Sequence, residues 1–207
     1  PSDINIICIS TSEELRQLAT EVNNGDNKSG KTYYLINDLD LGGKFDENGK
    51  SLDGNISWTP IGTETNPFSG IFDGRGHVIS NMYINTDEVS ALFAYIKDSE
   101  IKNFGIVDSY VIGNHAAGIV GNSNNSKISN IYNSATIRSI EGSAAGIVRF
   151  VTYNGTSIIS NVYNTGTIIS NGKQFGGGIA SYVCANVIIK NSYNIGTING
   201  NIEVGGI

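Results

Sequence analysis

The chain has 207 residues, a formal net charge of −6 and only 15% charged side chains, while Gly and Asn each occur 26 times. Without a basic face it is not a nucleic-acid binder, and no apolar run reaches the ~18 residues of a membrane span. A 39% hydrophobic content rich in Ile, Val and Tyr excludes disorder, and so much Gly and Asn disfavours long helices.

Residues 1–32 read as an N-terminal cap. Pro1 to Ser10 lacks the basic start and long apolar stretch of a secretory signal. Thr11 and Glu14 form a capping box, and Leu15, Leu18, Ala19 and Val22 recur at helical spacing until Asn23-Asn24-Gly25. The spacing predicts a helix over 12–23 that covers one end of a repetitive core. Residues 33–207 read as a solenoid. Tyr33-Tyr34-Leu35-Ile36 begins the first coil, Leu39-Asp40-Leu41 continues it, and a longer loop spans 42–56. Trp58-Thr59-Pro60-Ile61-Gly62 and a strand-turn-strand run from Phe68 to Ile84 follow.

From about Ala91 the sequence stacks on itself. Ala117-Gly118-Ile119-Val120 returns as Ala145-Gly146-Ile147-Val148, Gly177-Gly178-Ile179-Ala180 and Gly205-Gly206-Ile207. Ile128-Ser129-Asn130-Ile131-Tyr132-Asn133 returns at 159–164 and, more loosely, at 189–194. Ile101 to Phe104 and Ile79 to Tyr83 are degenerate copies. A third landmark, Thr136-Ile137, recurs at 167–168 and 197–198, and its Thr column matches an ice-binding solenoid in only one position per coil. Units of 26–32 residues with β-branched runs and no helical stretch predict β-coils of three short strands, stacked in parallel ~4.8 Å apart. Ile and Tyr would fill the interior, and an Asn ladder (81, 103, 130, 161, 191) would mark the bend. Leucine-rich repeats are excluded because no Leu follows Leu92, and propellers because a blade needs ~40 residues.

The order of these pieces resembles a known family. The Leu35-to-Leu41 strand, Trp58-Thr59-Pro60-Ile61-Gly62, Pro67-Phe68-Ser69-Gly70-Ile71-Phe72-Asp73-Gly74-Arg75-Gly76-His77 and the Gly-Gly-Ile-Val-Gly-like repeats are similar to the GLUG-motif β-helix segments of bacterial surface proteins. These occur in adhesin-like proteins and in the non-catalytic N-terminal region of immunoglobulin A1 metalloendopeptidase-like proteins. The resemblance implies a right-handed parallel β-helix, an extracellular or cell-wall-attached parent, and host protein or glycan as partner. The chain departs from the pattern where Arg149 and Ser181 take the place of Gly121, and where a repeat lengthens around Tyr153-Asn154-Gly155. Because Gly205-Gly206-Ile207 matches the opening of a repeat, the coils are expected to be truncated at 207, with further domains of the same polypeptide after it.

Catalytic motifs are missing from the sequence. Two histidines, His77 and His115, lack the spacing of a zinc peptidase, and His115 reads as an exposed loop residue. Cys8 and Cys184 fit neither a disulfide framework nor a zinc site. The chain is therefore expected not to be an enzyme and to need no cofactor. A glycan contact is placed at Asp73, Arg75 and His77, within a tight turn whose Asp bonds backbone and whose glycines take positive φ. Asp38, Asp40 and Asp73 are the carboxylates that a carbohydrate-active β-helix enzyme, the alternative reading, would have to use. Asp46, Asn48 and Asp53 form a loose oxygen-rich loop that could take calcium but fails the EF-hand spacing.

Overall fold

The computed structural model describes residues 5–152, 155–172, 174–184 and 186–207, so Tyr153 and Asn154 of the lengthened repeat lie outside the described residues. The chain forms a parallel β-solenoid of about 7 turns with one short helix near its N-terminus. Each full coil visits four sheets, not the three expected. The longest sheet runs from Ile6–Ile9 through Thr32–Leu35, Ile71–Asp73, Glu100–Val107, Lys127–Asn133 and Ser157–Asn164 to Val187–Lys190. Tyr110–Gly113, His115–Ala117 and Val120–Asn124 then represent the other three sheets in a single coil. All named strand pairs are parallel and in register, such as Ile128 with Ile159 and Ile137 with Ile168. One corner falls at the Gly-Ile landmark, where Gly118-Ile119 and Gly146-Ile147 separate His115–Ala117 and Ala144–Ala145 from Val120–Asn124 and Val148–Val151.

The bends explain the Asn pattern. Asn103, Asn130, Asn161 and Asn191 have φ between 50° and 61°, the left-handed region that Asn tolerates better than other non-glycine residues. The bend resets the alternation of faces, so Ile128 and Ile131, three apart, are both buried. Outside the rod the amides form a chain: Asn130 donates to Asn103 at 2.9 Å, Asn161 to Asn130 at 3.0 Å and Asn191 to Asn161 at 3.2 Å. Asn103 donates to Asp73 at 2.9 Å, which ends the ladder there. Asn81 does not belong to it. Ser80 pairs with Val107, so Asn81 lies at the next corner beside Asp108, and both have positive φ. The run Ile79 to Tyr83 therefore copies Ile106 to Tyr110, five residues beyond the expected register.

A second Asn ladder runs inside the rod. Asn133 donates to Asn164 at 2.8 Å and Asn164 to Asn194 at 2.7 Å, and Asn133 and Asn164 are fully buried. Across the narrow interior these amides press on the repeated glycines. A Cβ on Gly118, Gly146 or Gly178 would come within 2.8, 2.6 and 2.4 Å of the Cγ of Asn133, Asn164 and Asn194. None of these three glycines has a positive φ. They are glycines because a side chain would collide with the ladder and also with the backbone carbonyl of the next coil's glycine, 2.3, 2.2 and 2.6 Å away.

The tyrosines stack as a column but not in the interior. Tyr132, Tyr163 and Tyr193 pair in register, with ring centroids 5.3 and 5.2 Å apart and planes within 8° and 3°. They lie on the outer face between buried Ile131 and Asn133, because alternation within the strand turns every second side chain outward. The column begins on Gly105, where a Cβ would lie 2.1 Å from the Tyr132 ring.

The helix Ser12–Asn23 closes the N-terminal end. Thr11 accepts from the Glu14 amide at 3.2 Å and Glu14 accepts back from the Thr11 amide at 3.1 Å, completing the capping box. Leu15, Leu18, Ala19 and Val22 enter the same core as Leu35, Trp58 and Phe68. The strand Ile6–Ile9 precedes the helix and pairs with Thr32–Leu35, so β-coil structure already begins within residues 1–32. Replacing Thr11 with Ala should cost about 1 kcal/mol of stability through the lost N-cap, measurable as a lower urea midpoint with an unchanged slope.

Candidate functional site

Asp73, Arg75 and His77 leave the long sheet at one turn, but they do not form one site. Asp73 Oδ1 accepts from the Arg75 amide at 2.9 Å as well as from Asn103. Arg75 and Gly76 take the positive φ of the turn, 52° and 90°. Gly74 does not, and it is glycine because a Cβ would fall 2.3 Å from that of Phe104. The Arg75 guanidinium lies over the Tyr34 ring at 5.1 Å. Asp73 and Arg75 line a shallow groove with Asn103, Asn130 and Tyr132. His77 turns away and pairs with Asp38 at 3.0 Å. That carboxylate also accepts from the Val78 amide at 2.9 Å, and these two contacts hold Asp38 below the usual carboxylate range. Asp40 accepts from the Gly42 amide at 2.7 Å. All three expected carboxylates thus bond backbone amides at turns.

The loop over 42–56 is a small folded flap. Asp46 accepts from the amides of Asn48 and Lys50, both at 2.9 Å. Phe45 stacks on Tyr83 at 5.7 Å and meets Tyr110 edge-on at 5.8 Å. The Asp46 carboxylate is occupied by its own turn, and no group of three or more metal-binding side chains occurs among the described residues. Cys8 is exposed, Cys184 is buried, and both are free thiols.

A groove of about 1100 Å³, roomier than the one at Asp73 and Arg75, is lined by a separate set of residues. Glu64, Asp87, Glu88 and Glu141 border it, and His115 is shared with an adjoining pocket whose lining includes Arg149, Asn122, Tyr95, Phe150 and Lys97. His115 is not an exposed loop residue. It opens the strand His115–Ala117 and is half-buried. Its Nδ1 faces two donors, the Ser143 amide at 3.3 Å and Arg149 Nη1 at 3.3 Å. That arrangement favours a neutral ring with its proton on Nε2. Arg149 Nη2 donates to Asn122 Oδ1, and the guanidinium lies 5.3 Å from the centre of the Phe150 ring. Arg149 forms no ion pair among the described residues.

Burial, then the charge of Arg149, push the His115 pKa below its ordinary value of 6.5. The folded protein then binds fewer protons here than the unfolded chain, so the contribution of His115 is complete above about pH 6.5 and is lost as pH falls through the depressed value. Stability should decline as pH falls below about 6.5, and His115→Gln should flatten that slope in denaturation curves collected across neutral and mildly acid pH. Glu14, Glu21, Asp26 and Asp38 also have lowered values, but they start from 4.5 or below and lose their contribution only in acid.

No protein-family model matches the sequence. A protein of Evansella cellulosilytica, "Putative Gly-rich membrane protein", is 29% identical over 112 residues, covering 52% of this chain and 12% of that protein. Among solved structures, "a putative immunoglobulin A1 protease from Bacteroides ovatus" superposes with a TM-score of 0.71 at 23% identity, over 94% of this chain and 58% of that one. The solenoid is therefore a known fold, and the chain spans only part of both similar proteins. Among the described residues, no helix is long and apolar enough to cross a membrane.

Proposed function

We propose that this chain is a non-catalytic stalk and binding module of a secreted or cell-surface bacterial protein of the GLUG-motif kind, with host protein or glycan as its partner. The observation that carries the reading is the unbroken stack. About 7 turns at ~4.8 Å each make a rod of roughly 34 Å, and ladders of Asn and Tyr run along its flank. A rod of this kind spaces and displays what is attached to it, and its repeated flank offers a graded contact surface. The likeness to a protein named for immunoglobulin A1 cleavage and to one named as a membrane protein supports a surface setting. The lyase or glycosidase alternative would rest on Asp38, Asp40 and Asp73, and each of these serves a turn.

Immobilising the chain and passing mucins, host glycans and serum proteins over it tests the reading. Saturable binding of at least one class is expected. Failure of every class to bind would count against a recognition role.

A further inference from the structure

In a repetitive rod, residues that recur do so for packing, and residues that break the pattern in one coil need another reason. Three such breaks converge at one place. Val120 pairs with Val148 and Asn122 with Phe150, so Arg149 occupies the position of Gly121 in the preceding coil. Asn122 stands in a column otherwise made of Tyr95, Phe150 and Tyr182. His115 pairs with Val89 below and aligns with Ser143 above. These three side chains, from different columns, bond one another through the guanidinium of Arg149.

The cluster leaves bonding capacity unused. Arg149 has five N–H donors, of which one goes to His115 and one to Asn122. Its Nε is buried without a partner. The other two buried side-chain polar atoms without a partner among the described residues, Ser123 Oγ and Thr152 Oγ1, belong to residues lining the same pocket. Unsatisfied buried polar atoms are rare in native proteins; Arg149 Nε is one beside His115 and Asn122, whereas Ser123 Oγ points into the core column of Ile96 and Val151. Lys97 adds a second cation at the rim, while Tyr95 and Phe150 supply ring surface.

We infer that the Arg149 pocket is a binding subsite for an acidic sugar unit, a ring carrying a single carboxylate among hydroxyls. A guanidinium recognises a carboxylate through charge-assisted, often bidentate hydrogen bonds. The neighbouring Glu64, and Glu88 and Glu141 along the adjoining groove, accept from hydroxyls and repel additional negative charge. They therefore favour one carboxylate over a phosphate dianion. The inference rests on the reading of the chain as a binding module and names the contact that such a module would make.

The test is a titration of the ¹⁵N-labelled chain with sodium glucuronate, with methyl glucoside and inorganic phosphate as comparators. The key variant is Arg149→Gly, which restores the residue that Gly121 supplies one coil earlier and so keeps the repeat. Saturable shifts at the amides of Lys97, Asn122 and Phe150 are expected with glucuronate, with none from methyl glucoside and weaker ones from phosphate. Affinity should fall about tenfold or more in the variant, the equivalent of one charge-assisted hydrogen bond. The inference is overturned by absent shifts, by shifts that Arg149→Gly leaves unchanged, or by phosphate binding as tightly as glucuronate. Shifts confined to the Asp73–Arg75 groove would overturn this site while leaving the binding-module reading intact, whereas failure of the whole panel on the immobilised chain would remove that reading itself.

Discussion

Alanine at position 164 should destabilise the protein by about 3–5 kcal/mol, far more than its size suggests. The buried Asn164 amide donates to Asn194 at 2.7 Å and to the Gly166 carbonyl at 3.1 Å, and it accepts from Asn133 at 2.8 Å and from the Gly166 amide at 3.3 Å. Truncation strands the Asn133 amide and both Gly166 backbone groups in a dry interior, where each unsatisfied group costs about 1–3 kcal/mol, less what relaxation recovers, and leaves the half-buried Asn194 carbonyl without its donor. Asn161→Ala removes two ladder bonds on the exposed flank, where water replaces them, and strains Ala at a left-handed φ, so it should cost only about 1–2 kcal/mol. Asn161→Gly should cost less still, since Gly adopts the left-handed φ of 54° freely. Urea denaturation of the three variants, followed by circular dichroism, compares them directly. Equal losses for Asn164→Ala and Asn161→Ala would mean that the inner ladder is not the stronger element.

Phe93→Ala should also cost about 3–5 kcal/mol, the range for emptying a large buried aromatic site. Phe93 is fully buried, with its centroid 5.3 Å from both Phe68 and Phe72, and Phe72 continues to Phe104 at 5.5 Å. The first coils fill their core with Phe and Leu. The later coils use Ile, Val and Asn. A Phe93→Leu variant retains much of the volume and should recover most of the loss. Thermal melts that place both variants together would contradict cavity formation as the cause.

The sequence made the stack legible because structural residues recur at the coil period. The Gly-Ile and Ile-Ser-Asn landmarks from 118 to 191 place those coils in the register that the structure shows, and the Thr11–Glu14 box located the helix. Earlier coils were harder, because left-handed corners lie close together at Asn103 and Asp108, and the Asn81 run resembles the first while aligning with the second. The burial of Asn133 and Asn164 was hidden by polarity: an amide in the core runs against hydropathy, although its spacing of 31 and then 30 residues equals that of the outer ladder. The site was least legible. Asp73, Arg75 and His77 are close in sequence and part at a turn. Arg149, Asn122 and His115 lie up to 34 residues apart and meet only because coils stack, yet Arg149 at a glycine position was already the visible clue.

As a binding module, this rod is expected to recognise its partner without transforming it. Prolonged incubation of the purified chain with uronate-containing polysaccharides and with immunoglobulin A1, followed by mass spectrometry of the soluble products, measures that most directly. Both substrates are expected to be recovered at their starting mass. New oligosaccharide ends or cleaved heavy-chain fragments that scale with the amount of chain added would contradict it.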